Sequence, residues 1–366
     1  MMPTHELYMQ RCIDLALLGQ GRVAPNPMVG AVLVYDNRII GEGYHQQFGG
    51  PHAEVNCIAS VKETDRKYIP EACLYVSLEP CSHVGKTPPC TNLIIEQGIK
   101  MVVIGCKDSF EEVNGKGIEK LKKEGITVIA GVLEQVCKDL NRRFFTFHKE
   151  KRPYIILKWA ETADGRMAGE GKERLLISNK YTNRLVHKWR MEEPCILTGT
   201  NTALVDDPSL DNRLWTGASP VRMVLDLSLR LPRKLKLFNQ EQRTIVFNLL
   251  KNQKEGNMQH FKLSRTAGVI IQINCACLLL DLQSLLVEGG AKMLRSFIEE
   301  GVWDEARVIT NTVLEAGKGL KAPILNNHVL VKTEKINTDI IHYYQHQAPE
   351  KKAETFFRFT GKPVQV

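Results

Sequence analysis

No stretch of this 366-residue chain reaches eighteen consecutive apolar residues, so no membrane-spanning helix is expected. Met1 to Gly21 lacks the unbroken apolar core of a secretory signal. Glu6, Arg11 and Asp14 interrupt it, and no small-residue cleavage site follows a hydrophobic run. There is no run of five or six Lys or Arg. The formal net charge of +8 suits an anionic small molecule as well as a nucleic acid, but it is spread along the chain and offers no basic tail or aromatic track. Gly-x-Gly-x-x-Gly is also absent, which excludes the usual dinucleotide fingerprint. What is present, 43% hydrophobic and 25% charged residues, is ordinary globular composition, and the length predicts two domains. Ten cysteines, two of them needed as thiolates, fit a reducing compartment, so the expected location is the cytoplasm.

The chemistry concentrates in two short strips. Pro51-His52-Ala53-Glu54 carries an imidazole and a carboxylate. Glu79-Pro80-Cys81-Ser82-His83-Val84-Gly85-Lys86-Thr87-Pro88-Pro89-Cys90 carries two thiols. A catalytic zinc takes three N or S ligands and keeps one position for water, whose pKa it lowers towards ~7. A carboxylate outside the ligand set can then carry protons. His-x-Glu followed by Pro-Cys-x-x-Cys is a known zinc-deaminase signature. Here eight residues separate the two thiols in place of two. The other cysteines, Cys12, Cys57, Cys73, Cys106, Cys137, Cys195, Cys275 and Cys277, show no metal spacing and read as packing.

Both strips are expected at helix beginnings beside strand ends, where an open α/β sheet places its ligands. The first helix runs from His5 to Gly19, and Pro25-Asn26-Pro27 either presents the Asn26 amide rigidly or is a plain turn. Strands are expected at Val29–Val34, Ile39–Gly43, Cys73–Leu78, Met101–Cys106 and Ile126–Ala130. Helices are expected at His52–Lys62, Thr91–Gly98, Ile118–Gly125 and Leu133–Phe145. This alternation predicts an α/β sandwich. Lys86 suits a phosphate, or is simply a solvated loop lysine.

Asn26 within Pro-Asn-Pro, His52-Ala-Glu54 and Leu78-Glu-Pro-Cys-Ser-His-x-Gly-Lys-Thr-Pro-Pro-Cys90 closely resemble the deaminase half of the bifunctional riboflavin-biosynthesis deaminase–reductases. That family has the same eight-residue separation, whereas tRNA adenosine and cytidine deaminases of the same fold usually keep two. The resemblance implies a cytidine-deaminase-like α/β/α sandwich with His52, Cys81 and Cys90 on Zn2+ and Glu54 as proton shuttle. It implies substrate contacts at Asn26, His45, His83 and Lys86. The stretch Asp108 to Asp139 is also similar, although the usual Asp-Pro is here Asp108-Ser109.

The domain boundary falls in the charged, aromatic segment Arg142–Pro153, dividing the chain into residues 1–147 and 148–366. Beyond it, strands are expected at Tyr154–Lys158, Cys195–Thr198, Val221–Leu225, Arg243–Asn248 and Gly268–Ile273, and a helix at Ser178–Arg190. Leu285-Leu-Val-Glu288-Gly289-Gly290 leads a strand through a Gly-Gly turn into a helix, Met293 to Glu299. Such a junction is either a phosphate site or a plain tight turn. Ala163-Asp-Gly165, Thr202-x-x-x-Asp206-Asp-Pro208-x-Leu210-x-x-Arg213 and Val287-Glu-Gly-Gly290 resemble the reductase half of the same family. That implies a dihydrofolate-reductase-like α/β domain using NADPH. Ala160, Thr202, Asp206, Gly290, Ala291, Lys292, Met293, Leu294, Arg295 and Ser296 then face the cofactor. Arg190, Leu210, Arg213 and Glu288 face the substrate, a phosphoribosyl-pyrimidine. Relatives often carry Gly-x-Ser-x-Trp-Ile-Thr where this chain has Gly171-Lys-Glu-Arg-Leu-Leu-Ile-Ser178, so Arg174 and Leu176 are weaker candidates. The implied enzyme deaminates a diamino-(phosphoribosylamino)pyrimidinone, reduces the product's ribosyl group, and forms a homo-oligomer, dimer or tetramer. The alternative is a nucleic-acid base deaminase with a non-catalytic C-terminal module.

Overall fold

The computed structural model describes residues 4–82, 88–108, 115–171 and 174–347. The first half contains α1 (Thr4–Leu17), β1 (Gly30–Tyr35), β2 (Arg38–Tyr44), α2 (Ala53–Ala59), β3 (Cys73–Leu78), α3 (Cys90–Glu96), β4 (Met101–Cys106), α4 (Lys116–Lys123), β5 (Thr127–Ala130), α5 (Glu134–Leu140) and α6 (Arg142–Glu150). Its five strands lie in the order β2-β1-β3-β4-β5. β1 pairs antiparallel with both neighbours, and β3, β4 and β5 run parallel. Side-chain alternation along β1 feeds two cores. Ala31 and Leu33 pack with Cys57, Ile58, Ile94 and Leu121 from α2, α3 and α4. Val32 and Val34 pack with Met9, Cys12, Ile13 and Cys137 from α1 and α5. The result is an α/β/α sandwich.

The second half contains β6 (Tyr154–Glu161), β7 (Arg166–Gly169), α7 (Lys180–Glu192), β8 (Cys195–Gly199), α8 (Thr200–Asp206), β9 (Val221–Leu225), β10 (Thr244–Asn248), β11 (Gln253–Glu255), β12 (Met258–Lys262), α9 (Val269–Leu279), β13 (Ser284–Glu288), α10 (Ala291–Glu299), β14 (Glu305–Asn311), β15 (Gly319–Lys321), β16 (His328–Ile336) and β17 (Asp339–His346). Ten of these strands form one sheet, β11-β12-β10-β9-β8-β13-β6-β14-β17-β16. From β12 to β14 every pairing is parallel. The parallel strands are buried on both faces, as their near-continuous apolar runs require. Lys158 on β6 and Glu288, the last residue of β13, stand opposite each other in this register. Among the described residues no helix is long and apolar enough to cross a membrane.

Several expected elements differ. Gly268–Ile273 is not a strand: α9 starts at Val269, because Ile270, Ile273, Ala276 and Cys277 recur at helical spacing and bury one face. Cys275 and Cys277 consequently diverge, one exposed and one buried. Leu133–Phe145 is two helices broken at Asn141, whose side chain brackets Met28 by accepting from its N–H and donating to its carbonyl, both at 2.8 Å. α2 is shorter than expected, and His52 is its N-cap, one position before the first turn. The antiparallel pair β16 and β17 had no counterpart among the expected strands.

A buried ionic cluster ties α6 to the second sheet. Arg143 donates both arms of its guanidinium to Glu193, and Ser284 donates to the same carboxylate. Arg307 donates to Glu305 at 2.6 Å. Burial pushes the Glu305 carboxyl up, but Arg307 and Arg143 outweigh it and hold it at about 2. These charges stay ionised because each has a partner, and removing one would strand the others in a dry interior.

Candidate functional site

His52, Cys81 and Cys90 converge. Pro51 ends the chain entering α2, so His52 caps that helix. β3 ends at Leu78 and delivers Cys81, and Cys90 is the first residue of α3. The ligand atoms of the three lie within 4.8 Å of one another. His52 Nδ1 is 3.3 Å from Cys90 Sγ and 3.6 Å from Cys81 Sγ. Bond lengths typical of zinc give a tetrahedral N–S edge of about 3.5 Å, so the trio fits that ion as it stands. The Cys90 backbone N–H donates to Cys81 Sγ at 3.3 Å. The Cys90 thiol, His52 and that N–H together draw the Cys81 thiol down to about 4 despite burial. The Cys90 thiol is pushed up by the neighbouring Cys81 sulfur and by burial.

Four carboxylates, Glu54, Glu79, Asp108 and Asp281, line a cavity of about 390 Å³, and the surroundings of Glu54 and Glu79 separate their roles. Glu79 is buried and accepts four backbone N–H groups, from Asp108 and Gly115 on one oxygen and from Gly117 and Ile118 on the other. It fastens the Pro80-Cys81 strip to the start of α4. Close approach helps: a Cβ on Gly117 would sit 2.2 Å from the Pro80 carbonyl oxygen. Glu54 has no such set of donors. Burial and the Cys81 sulfur raise its pKa, and His52 partly offsets them. A carboxyl with raised proton affinity beside three metal-type ligands is placed to hold and return a proton.

Asn26 and His45 stand at the same cavity. His45 Nδ1 is 2.9 Å from the Pro51 carbonyl oxygen and Nε2 is 3.1 Å from Asn26 Nδ2. The carbonyl can only accept, so Nδ1 carries the proton and Nε2 accepts from Asn26. Burial lowers the His45 pKa, the bond to the Pro51 carbonyl opposes this and His52 adds to it. Asn26 Oδ1 takes no part in this chain of bonds and is the acceptor it leaves over. His83 and Lys86 lie outside the described residues.

A second cluster stands at the carboxyl end of β13, beside Lys158 of β6. Arg190 from α7 donates to Glu288 through Nε and one terminal nitrogen, at 2.9 and 2.8 Å, and to the Asp211 carbonyl at 3.2 Å. Lys158 Nζ is 3.6 Å from Glu288. Burial would raise the Glu288 pKa, yet Arg190 and Lys158 hold it at about 2. Burial lowers the Lys158 pKa, Glu288 opposes this and Arg190 adds to it. Arg213 is more open, paired with Asp211, and its backbone N–H donates to His187 Nδ1 at 3.2 Å. Arg190 is thus occupied by Glu288, and Arg213 is the freer cation for an anion. Lys158 was not among the expected site residues. Its signal is a lysine within the otherwise apolar strand Tyr154–Trp159.

Gly289 and Gly290 form a cradle ahead of α10, with φ of +117° and +67°. A Cβ on Gly289 would lie 2.9 Å from Thr202 Cγ2, and one on Gly290 would lie 3.3 Å from Thr202 Oγ1. Glycine is required at both, and the backbone thereby stays open beside a helix N-terminus, which fits a phosphate-bearing cofactor. Thr202 and Asp206 are on α8, and Ala160 is near the end of β6. Burial raises the Asp206 pKa, with Arg174 and Lys158 opposing. The run from Gly290 to Ser296 turns around the helix. Ala291 and Leu294 are buried, Lys292 and Arg295 are exposed, Met293 and Ser296 lie between, and Leu294 belongs to the core. Leu210 is also core, packed with Ile156 and Val224.

Residues 2–106 match the family model for the cytidine and deoxycytidylate deaminase zinc-binding region, and residues 153–339 match that for the RibD C-terminal domain. The chain is 40% identical over 308 residues to the riboflavin biosynthesis protein RibD of Aquifex aeolicus, covering 81% of this chain and 84% of that one. It is 35% identical over 362 residues to RibD of Actinobacillus pleuropneumoniae, covering 92% and 94%. The crystal structure of a diaminohydroxyphosphoribosylaminopyrimidine deaminase/5-amino-6-(5-phosphoribosylamino)uracil reductase from Thermotoga maritima superposes with a TM-score of 0.86 at 38% identity, covering 94% of this chain and 99% of that one. The match extends through both halves, so a base deaminase with a non-catalytic module is not favoured. The chain belongs to the RibD family of riboflavin-biosynthesis proteins.

Proposed function

We propose that this chain catalyses two successive steps of riboflavin biosynthesis, with a deaminase domain over residues 1–147 and a reductase domain over 148–366 joined through α6. The first step is hydrolytic deamination of 2,5-diamino-6-(5-phosphoribosylamino)pyrimidin-4(3H)-one. The second is reduction of the ribosyl group of the resulting aminouracil to ribityl. The observation that carries the reading is the closure of one imidazole and two thiols beside buried Glu54.

In the deaminase, His52, Cys81 and Cys90 hold Zn2+, which when bound makes a water ionisable near neutral pH. Asn26, with its amide nitrogen held by His45, presents Oδ1 to the ring's N–H groups. Glu54 accepts the proton of the attacking water. As the water oxygen bonds to the amine-bearing carbon and the C–N bond breaks, Glu54 delivers that proton to the departing ammonia.

In the reductase, the Gly289–Gly290 cradle, Thr202 and Asp206 hold NADPH, which when bound supplies a hydride. Arg213 faces the substrate phosphate. Glu288 fixes Arg190 and Lys158 in place. Opening of the ribosyl C1′–O4′ bond places a proton on O4′, for which Lys158 is the donor, and leaves C1′ to the hydride that bound NADPH would supply. A cytoplasmic homo-oligomer is part of this reading. The exposed Val329, Leu330 and Val331 on β16, the terminal strand of its sheet, support association.

Cys81→Ala tests the metal assignment. It removes one of three ligands and leaves Cys90 without its sulfur partner. Bound zinc should fall from one per chain to a small fraction by atomic emission, and ammonia release should fall with it. Retention of stoichiometric zinc would remove Cys81 from the ligand set.

A further inference from the structure

The deaminase cavity is not built by the first half alone. Asp281 and Gln283, from the approach to β13, line it together with Phe144, Phe147 and His148 of α6. Gln283 is almost fully buried, and its backbone carbonyl accepts from Tyr154 N–H at 2.8 Å, which fixes it to the second sheet. Its side-chain amide donates to the carbonyl of Pro25, the residue before Asn26. Four residues earlier the same loop meets the second half again. A Cβ on Gly21 would lie 2.5 Å from the Met191 carbonyl oxygen and 2.4 Å from its sulfur, so backbone packs there on backbone. On the other side of Asn26, the Asn141 side chain brackets Met28. The loop bearing Asn26 is thus held at Gly21, Pro25 and Met28, and the first two holds come from the reductase half.

We propose that the reductase half completes the deaminase site, with Gln283 acting as a positioning residue that sets Asn26 against the substrate. This rests on the reading of Asn26 as a substrate contact. Asn26 is flanked by two prolines, so a displacement at Pro25 is transmitted through a stiff backbone to its side chain. The hydrogen bond from Asn26 to His45 then breaks or lengthens, and the Asn26 oxygen leaves its aim.

The test uses the full-length, zinc-loaded protein. Gln283→Met keeps length and volume and removes the donor. Its KM for the diaminopyrimidinone ribotide should rise about tenfold, the scale of one hydrogen bond. The deaminase kcat should stay within about twofold, because Glu54 and the ligands are untouched. Zinc content and reduction of the aminouracil ribotide should be unchanged. Gly21→Ala, which forces the other hold apart, should give the same KM rise. In an Asn26→Ala background Gln283→Met should add nothing, since the two act through one contact. An equal fall of both activities in Gln283→Met, or full additivity with Asn26→Ala, would overturn the proposal and leave Gln283 as packing. An unchanged KM in Gln283→Met beside a raised KM in Asn26→Ala would overturn it while sparing Asn26. An unchanged KM in Asn26→Ala itself would overturn both the Asn26 assignment and the inference built on it.

Discussion

Glu54→Gln should retain zinc and lose deamination by about 10²- to 10⁴-fold, the usual share of a positioned acid–base group. The exchange preserves shape and hydrogen-bonding reach, so His52, Cys81 and Cys90 keep their places. What disappears is a site for the travelling proton. The size of the loss follows from where Glu54 sits. It is buried, so bulk water cannot replace it, and burial with the Cys81 sulfur raises its affinity for a proton. Glu79, another carboxylate of the cavity, cannot substitute because both its oxygens are engaged with the backbone at the start of α4. Reduction of the aminouracil ribotide by the same variant should proceed at the parent rate. Ammonia release within a few-fold of the parent, with zinc bound, would take the proton shuttle away from Glu54.

Lys158 carries the second large effect. Burial and Arg190 both lower its pKa, so it is a better acid than a solvated lysine. Lys158→Met should lower the reductase kcat about 10²- to 10⁴-fold and leave ammonia release intact. Lys158→Arg separates charge from proton transfer. Arginine keeps the cation beside Glu288 but does not release a proton near neutral pH. Lys158→Arg should fail nearly as badly as Lys158→Met. If Lys158→Arg restored most of the rate, the residue would be acting as a fixed charge and the proton would come from elsewhere.

The metal-type trio was legible in the sequence because each ligand is a rare residue type next to a proline or a helix start. His52 follows Pro51, Cys81 follows Pro80 and Cys90 follows Pro89, and these local signals survive folding. The first sheet was legible for a similar reason: its strands are short apolar runs bounded by turns. The second half was harder to read. Gly268–Ile273 is rich in β-branched residues and reads as a strand locally, yet its tertiary partners favour the helical face of Ile270 and Ile273. β16 is mostly exposed and so lacks the apolar alternation that marks a half-buried strand. Glu79 and Lys158 were missed because their roles depend on partners far along the chain, at Gly117 and Glu288. Gln283 is the extreme case: it meets Pro25, 258 residues away, and no local pattern points to that pairing.

The central claim is that one chain performs both steps in order. The most direct measurement supplies the diaminopyrimidinone ribotide and NADPH to zinc-loaded protein and follows ammonia release and NADPH oxidation in one tube. Both signals should appear, with ammonia first and NADPH oxidation following after a lag. Ammonia without NADPH oxidation would contradict the reductase reading, and neither signal would contradict the substrate itself.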